Sequence, residues 1–286
     1  MGRYVVPKLS LVKRSRQGYG GRMIAKLKHI MPLAMRTRVK RLGYHLLDIA
    51  RPITAKRVPS RAQTSIGGGD FAGVGDGFFA LQKDLGLTAD MHVLEPGCGQ
   101  GRMARPMVGW LTGEYHGFDI DEAGIAWCQK HYADAPNFHF THTDVFNARY
   151  NPTGQIQAQD LCFPSEDAAF DWVILTSVFT HMFEADIDRY MAEIVRVMKP
   201  GATCLISWYL WEEGTSSDIM DFRYAVNDVS RTTLKQNPEA AMAFDMAWVR
   251  ALYARHGLTI TKLERGHWAG GAGRMGIQDL VVAELG

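Results

Sequence analysis

The chain has 286 residues and a mass of 32.0 kDa, enough for one large α/β domain or for a domain with an arm. With 47% hydrophobic and 22% charged residues its composition is that of a globular protein, which excludes global disorder, a collagen-like repeat and a disulfide scaffold. No run approaches the roughly 18 apolar residues of a membrane-spanning helix. Four cysteines without a CxxC pair indicate a reduced, cytoplasmic setting.

The first 61 residues differ in charge from the rest of the chain. They hold sixteen of the 32 Lys and Arg residues but one of the 30 acids, so 16 basic and 29 acidic residues remain and give the rest a net charge near −13. Apolar residues that recur at steps of four and three predict an amphipathic helix ending at Arg51-Pro52; they are Met35, Val39, Leu42, Leu46 and Ile49. Such a helix suits an anionic membrane surface, nucleic acid, a transit peptide or packing on the acidic body. We predict a basic arm at 1–61 and a domain at 62–286.

Residues 59–77 are rich in glycine and predict a linker or loop at the entrance of the domain. Short apolar runs and helical patterns then alternate. The predicted strands are 91–95, 115–118, 138–141, 172–175, 203–207, 258–263 and 277–283. The predicted helices are 78–85, 102–111, 122–132, 185–198 and 238–256. This alternation is typical of an α/β, doubly wound, mostly parallel sheet. Only a loop separates the last two strands, so we expect them to pair antiparallel.

A glycine-spaced turn follows the first of these strands. Its sequence is Glu95-Pro96-Gly97-Cys98-Gly99-Gln100-Gly101, and glycine lets the backbone take positive φ and lets a ligand approach the N–H groups. The dinucleotide fingerprint requires glycine at 102, where this chain has Arg102. Glu95 at the strand end suits a cationic amino group, which NAD lacks. The string from Gly73 to Gly77 follows no apolar strand, and we do not expect it to bind a ligand.

Acidic residues end the next two strands as well. Asp119 lies a little over 20 residues past the turn, where a carboxylate can accept hydrogen bonds from both ribose hydroxyls. Ile120 beside it is placed to lie against a purine face. Asp144, which precedes Val145, is placed to accept a hydrogen bond from an adenine amine. Three acid-tipped strands after a glycine turn predict a nucleoside-binding site.

These residues resemble those of the class I S-adenosylmethionine-dependent methyltransferases. The likeness takes in the turn at 95–101, the acids Asp119 and Asp144, the strand at 170–177 and the helix and turn at 193–201, and it extends from about residue 78 to the C-terminus. It implies a Rossmann-like seven-stranded sheet of order 3-2-1-4-5-7-6, with strand 7 antiparallel, and S-adenosyl-L-methionine as cofactor. The cofactor contacts it implies are Glu95, Gly97, Gly99, Gly101, Asp119, Ile120, Asp144, Val145, Thr176 and Ser177.

Finer features at 66–71, 150–152 and 177–182 resemble a bacterial subgroup often encoded beside glycosyltransferases for surface polysaccharides. This resemblance implies a small-molecule or glycan or glycolipid acceptor, methylated at oxygen. The long stretch 146–167 departs from the commonest family pattern and leaves the shape of the acceptor pocket open. Alternatives are an RNA methyltransferase that uses the basic arm, or a non-catalytic cofactor-binding scaffold at the cytoplasmic face of a membrane.

The acceptor side needs a base for the hydroxyl proton. His181 follows the fourth strand at the sheet edge where ligands bind, so it is the candidate general base, unless it packs against the next helix. The candidate acceptor wall is aromatic, although buried core is the alternative for these residues; it comprises Trp208, Tyr209, Trp211 and Trp268. No His, Asp or Glu spacing indicates a metal site, so we expect metal-independent in-line transfer, helped by positioning of the reactants.

Overall fold

The computed structural model describes residues 44, 48–49, 55–64, 70–148, 150–274 and 276–286. The predicted arm helix lies mostly outside the described residues, as does the glycine run 65–69; Tyr44, Asp48 and Ile49 are helical. The chain divides into two compact units, Met1–Ile53 with Ser60–Gln63, and Thr54–Pro59 with Thr64–Gly286. In the first unit the Asp48 carboxylate accepts hydrogen bonds from the Arg61 guanidinium at 2.9 Å and from the Ala62 N–H at 3.0 Å.

The elements of the second unit in chain order are α1 (Phe71–Asp84), β1 (Val93–Pro96), β2 (Tyr115–Asp119), α2 (Glu122–His131), β3 (Phe138–His142), β4 (Phe170–Leu175), α3 (Glu184–Val197), β5 (Met198–Trp208), β6 (Leu210–Trp211), β7 (Tyr224–Ala225), β8 (Ser230–Thr232), β9 (Met242–Asp245), α4 (Met246–Arg255), β10 (Leu258–Glu264) and β11 (Asp279–Leu285).

The unit is built on a seven-stranded sheet of order β3-β2-β1-β4-β5-β11-β10. Strands β1 to β5 are parallel, and β11 is antiparallel to both of its neighbours, β5 and β10. This confirms the predicted doubly wound sheet, its strand order and the antiparallel final pair.

Both faces of the central strands are buried, as a parallel sheet between two helical layers requires. In β1 the consecutive residues Val93 and Leu94, which point to opposite faces, are both fully buried. One hydrophobic cluster joins a sheet face to α1 and α2, and a second joins the other face to α3 and α4. Among the described residues, no helix combines the length and the apolar character needed to cross a bilayer.

The segment after the glycine turn is not the predicted helix at 102–111. It consists of turns around a short 3-10 helix, Arg105–Met107. Pro106 lacks an N–H and disfavours helical backbone at the residue before it, and Gly109 adopts a positive φ of 82°. These two residues prevent a regular α-helix from continuing.

The predicted loop at 70–77 is instead the first half of α1. Gly75 faces the segment that follows the glycine turn, and a Cβ at this position would lie 2.4 Å from the carbonyl oxygen of Arg102. The residue is therefore needed for close packing of α1.

A small second sheet, of order β6-β9-β8-β7, occupies the region between β5 and α4. The predicted helix at 238–256 is accordingly divided into a 3-10 helix, Pro238–Ala240, the strand β9 and the helix α4. The Asp245 side chain caps α4 by accepting a hydrogen bond from the Trp248 N–H at 2.9 Å, which fixes where the helix begins.

Candidate active site

The glycine turn lies at the carboxyl end of β1 and bends across the end of β2. Gly97, Gly99 and Gly101 have φ values of +76°, +53° and +68°, a region that side chains disfavour. The Gly97 N–H donates to the Phe118 carbonyl at 2.8 Å, and the Gly99 N–H donates to the Asp119 carboxylate at 2.7 Å. A Cβ at Gly97 would lie 2.4 Å from Val178, whereas the space at Gly99 is open. The turn is thus fixed by hydrogen bonds that its N–H groups donate, while Gly99 leaves room for a ligand.

Asp119 ends β2 and is almost completely buried. Its two oxygens accept hydrogen bonds from the N–H groups of Gly99, at 2.7 Å, and Asp121, at 2.8 Å. Burial raises the pKa of this carboxyl, and the two backbone hydrogen bonds oppose the rise. Each carboxylate oxygen can accept more than one hydrogen bond, so Asp119 can still receive a pair of hydroxyl donors.

Glu95 lies beneath the glycine turn and is fully buried. The Tyr115 hydroxyl donates a hydrogen bond to its carboxylate. Burial raises the pKa of Glu95 to about 8, and the Asp119 charge adds to the rise, while the Tyr115 hydrogen bond and the Arg102 charge oppose it.

A cavity of about 500 Å³ opens at this edge of the sheet, within the size range of small-molecule sites. Eight of the residues predicted from the sequence lie on its wall: Gly97, Gly99, Asp119, Ile120, Val145, Thr176, Ser177 and His181. Glu95, Gly101 and Asp144, which were also predicted to contact the ligand, are not part of that wall. Gly101 instead allows close packing, because a Cβ there would lie 2.8 Å from the Tyr132 hydroxyl oxygen.

At the end of β3 the wall residue is Thr143 and not the predicted Asp144. The Asp144 carboxylate accepts hydrogen bonds from the Asn151 side chain at 3.0 Å and from the Gln155 N–H at 3.2 Å, so it anchors the segment that follows. Thr143 is 8% exposed, and its hydroxyl has no hydrogen-bond partner among the described residues. Neighbouring residues of an extended chain point to opposite sides, so Thr143 faces the cavity and Asp144 points away from it. A buried hydroxyl without a partner on a cavity wall is suited to a polar ligand.

The turn after β4 is held in an unusual conformation. Ser177 has a φ of +59°, which is uncommon for a residue with a side chain and is typical of sites held by their surroundings. Its N–H donates to the Ser207 hydroxyl at 2.8 Å, and its hydroxyl is 3.1 Å from the Gln278 side-chain oxygen. These contacts with residues of β5 and of the segment before β11 hold Thr176 and Ser177 against the cavity.

His181 lies on the cavity wall at the end of the 3-10 helix Phe179–His181. Its Nδ1 is 2.7 Å from the carbonyl oxygen of Glu239, and a carbonyl can only accept, so Nδ1 carries the hydrogen. In the neutral ring Nε2 then has the lone pair that can accept a proton. The ring also packs edge-to-face on Tyr150, at a centroid distance of 5.4 Å.

Two carboxyl groups share the wall with His181. They are Asp186 on α3 and Glu239 on the 3-10 helix before β9. Burial raises both pKa values; the nearby charge of Glu184 adds to the rise for Asp186, and the charge of Asp186 adds to the rise for Glu239. This end of the cavity is acidic, and no local sequence pattern marks either group.

The predicted aromatic wall lies elsewhere. Trp208 is fully buried and donates from Nε1 to the Tyr253 hydroxyl at 3.2 Å. Tyr209 and Trp268 are also buried, in a small cluster with Phe222. The half-buried Trp211 lies beneath the Arg231 guanidinium, 4.3 Å from the ring centroid. None of these four aromatic side chains is on the cavity wall: Trp208, Tyr209 and Trp268 are buried in hydrophobic clusters, and the half-buried Trp211 packs against one of them.

Comparison with known proteins agrees with this geometry. The family described as a methyltransferase domain matches residues 94–206. The phthiotriol/phenolphthiotriol dimycocerosates methyltransferase of Mycobacterium tuberculosis is 32% identical over 123 residues, which cover 43% of this chain and 38% of the relative. The protein of the same name from Mycobacterium leprae is 30% identical over 154 residues, which cover 54% of this chain and 46% of the relative. The chain thus spans less than half the length of these curated relatives.

Two solved structures share the fold at low sequence identity. The [4+2]-cyclase SpnF has a TM-score of 0.52 and 16% identity, over 73% of this chain and 81% of its own. The glycopeptide N-methyltransferase MtfA has a TM-score of 0.50 and 18% identity, over 75% of this chain and 91% of its own. Their different activities show that this fold does not by itself define a reaction. Residues 94–206 thus match a methyltransferase domain, and the strand order and the glycine turn agree with the class I S-adenosylmethionine-dependent methyltransferase fold.

Proposed function

We propose that this protein transfers the methyl group of S-adenosylmethionine to a hydroxyl oxygen of a lipid, glycolipid or other small glycan acceptor. The observation that carries the proposal is one cavity with two different ends. The glycine turn and Asp119 form one end, and His181, with its Nδ1 hydrogen directed at the Glu239 carbonyl, lies on the same wall.

The residues at the first end fit a nucleoside with a cationic amino-acid portion. Asp119 offers acceptor oxygens for ribose hydroxyls, Gly99 leaves open space beside the backbone, and Thr143 offers a hydroxyl with no partner among the described residues. Ile120 and Val145 supply apolar surface on the same wall. We propose that these residues, with Gly97, Thr176 and Ser177, contact the cofactor.

The chemistry requires one proton transfer from the acceptor. S-adenosylmethionine supplies a methyl group activated by a sulfonium sulfur: the carbon–sulfur bond breaks as the oxygen–carbon bond forms, and the sulfur becomes a neutral thioether. In our proposal Nε2 of His181 accepts the hydroxyl proton. The acidic surroundings from Asp186 and Glu239 then stabilise the imidazolium that results.

A lipid portion of the acceptor is supported by apolar side chains around His181. Phe146, Met182 and Phe183 are on the cavity wall, and Phe146 is 40% exposed. An exposed aromatic group beside an apolar wall is suited to an alkyl chain. The curated relatives are named as phthiotriol/phenolphthiotriol dimycocerosates methyltransferases, which is compatible with a lipid acceptor.

Transfer of labelled methyl groups tests the proposal. The full chain is incubated with methyl-labelled S-adenosylmethionine and a bacterial lysate, which is then separated into lipid, polysaccharide, RNA and protein. We expect label in lipid or polysaccharide that survives mild alkali, as methyl ethers do and methyl esters do not. His181→Ala should lower the initial rate of labelling by about 10²-fold or more, and His267→Ala, at an exposed histidine, should retain it. Label confined to RNA would favour the RNA alternative, and binding without any label would favour the scaffold.

We propose that residues 1–61 form a basic arm and residues 62–286 the domain. The arm would make peripheral contact with the cytoplasmic face of an anionic membrane. The support is the excess of sixteen basic residues over one acid before residue 62. Flotation of the full chain with vesicles that contain or lack anionic lipid tests this. Equal flotation with both kinds of vesicle would contradict it.

A further inference from the structure

A group of side chains with metal-ligating chemistry lies outside the cavity. Glu114, His116 and His139 bring one ligand atom each to within 4.8 Å of the others. The imidazole rings of His116 and His139 are 4.7 Å apart between centroids, and Nε2 of His139 is 2.7 Å from a carboxylate oxygen of Glu114. No sequence spacing indicated this group, because pairing of β2 with β3 brings His139 to Glu114 and His116.

The sheet holds the three side chains together. His116 on β2 and His139 on β3 are register partners, so their side chains stand on the same face, about 4.8 Å apart across the strands. Glu114 precedes His116 by two residues and therefore points to that same face. The His116 ring also packs edge-to-face on Phe170, at 5.3 Å between centroids, which limits its rotation.

The group is separate from the cavity. His116 lies near the amino end of β2, whereas Asp119 ends the same strand three residues later, about 10 Å further along. Neither Glu114, His116 nor His139 is on the cavity wall. An ion bound here would have no direct contact with the reacting atoms, so the expectation of metal-independent methyl transfer is unaffected.

Two imidazoles and one carboxylate form a donor set suited to Zn²⁺, which prefers nitrogen and oxygen ligands at about 2.0–2.2 Å in a tetrahedral arrangement. Ligands at that distance lie roughly 3.4 Å apart in a tetrahedron. The three atoms need therefore move little: the 2.7 Å contact between Glu114 and His139 would open as the metal replaces the shared hydrogen. Water can fill the fourth position, because His139 is exposed.

We propose that Glu114, His116 and His139 bind one Zn²⁺ ion. The site would connect β2 to β3, which is the outermost strand of the sheet and pairs with β2 alone among the described strands. An ion bound to the folded chain stabilises it by mass action, so the expected consequence is a more stable sheet edge.

Calorimetric titration of ZnCl₂ into the chelator-treated full chain tests the proposal. We expect a site that His139→Gln and His116→Gln each weaken about 100-fold or more, since loss of even an indirect ligand partner costs roughly 10–100-fold. His267→Gln, which removes an exposed histidine elsewhere, should bind as the wild type does. Co²⁺ should give visible absorption bands of tetrahedral intensity in the wild type and lose them in His139→Gln. Zn²⁺ should raise the Tm of the wild type but not of that variant.

Zn²⁺ binding that is unchanged in both histidine variants would overturn the proposal, as would no binding at all. His139 is exposed, so its substitution leaves the core intact, and circular dichroism with binding of S-adenosylhomocysteine checks that this variant is folded. Methyl transfer is expected to be the same in wild type and His139→Gln. Failure of the zinc site would therefore leave the proposed methyl transfer untouched.

Discussion

The two ends of the cavity are built in different ways. At the glycine-turn end, backbone N–H groups and strand tips that are adjacent in the sheet make the wall, and Asp119 holds the turn by accepting from Gly99. At the His181 end, the wall comes from side chains on three segments that are far apart in sequence. Tyr150 follows β3, Asp186 is on α3, and Glu239 precedes β9.

This difference has a functional consequence. Few substitutions in a wall made of glycines and backbone groups would leave the turn intact. Such a wall suits a ligand that stays the same, as a cofactor does. A wall of side chains from segments outside the central sheet can change without disturbing the sheet, which suits the more variable, acceptor side of a site. We therefore expect substitutions at the first end to affect cofactor affinity, and substitutions at the second end to affect turnover and acceptor choice.

The sharpest test of that division is His181→Ala. Loss of a general base should lower turnover by about 10²–10⁴-fold. The affinity for S-adenosylhomocysteine should stay within about twofold, because the turn and Asp119 do not depend on this ring. Steady-state kinetics and calorimetry on the same preparation provide both values. Equal loss of turnover and affinity would show that His181 has a structural role and that the two ends are not independent.

Asp119→Ala is the matching test at the other end. The substitution removes a charged acceptor from the N–H groups of Gly99 and Asp121 as well as from the proposed ribose contact. One or two charge-assisted hydrogen bonds are worth about 1.5–3 kcal/mol each, so we expect affinity for S-adenosylhomocysteine to fall roughly 10–100-fold or more.

Asp144→Ala is the matched control for that experiment. The Asp144 carboxylate binds Asn151 and Gln155 and is not on the wall, so we expect less than about a threefold loss of cofactor affinity. Similar losses in the two variants would mean that Asp144 contacts the adenine, as the sequence pattern first indicated.

The same division explains what the sequence could predict. The strand order, the glycine turn and the position of Asp119 depend on local patterns and on the regular packing of strands, and the structure places them as expected. Thr143 was missed because one residue of register decides which side chain faces the ligand. Glu239 was missed because only the long-range packing of the second sheet brings its carbonyl to His181.

The aromatic residues after β5 illustrate the opposite error. Tryptophan and tyrosine beside acids are typical of sugar sites, but the same composition builds buried cores. The deciding feature is Asp279, a buried carboxylate in β11 that accepts hydrogen bonds from the Leu210 N–H at 2.7 Å, the Gly266 N–H at 2.8 Å and Trp268 Nε1 at 2.7 Å. Nothing in the sequence around position 279 indicates these partners.

Trp268→Phe should therefore lower stability and leave acceptor kinetics unchanged. The substitution removes one of three donors to a buried carboxylate, and we expect the free energy of unfolding to fall by about 1–3 kcal/mol. Trp211→Phe is the matched control, since its Nε1 is buried with no partner among the described residues, and we expect a change within about 0.5 kcal/mol. Urea unfolding followed by far-UV circular dichroism measures both. A higher acceptor KM in Trp268→Phe at unchanged stability would mean that Trp268 contacts the acceptor, as the sequence analysis predicted.

The last expected effect is a slope of stability against pH, and it concerns Glu95 at the glycine-turn end. Burial raises the pKa of this carboxyl from near 4.5 to about 8 in the folded chain, so between those pH values the folded state binds a proton that the unfolded state has lost. Stability should fall as pH rises through that interval, by at most about 1.4 kcal/mol per pH unit. Glu95→Gln removes this titrating group, so the stability of the wild type relative to the variant should fall as pH rises from 5 to 8, while groups common to both proteins cancel. Identical slopes in urea unfolding of the two proteins would mean that Glu95 is ionised beneath the turn, where its charge would be available to the amino group of the cofactor.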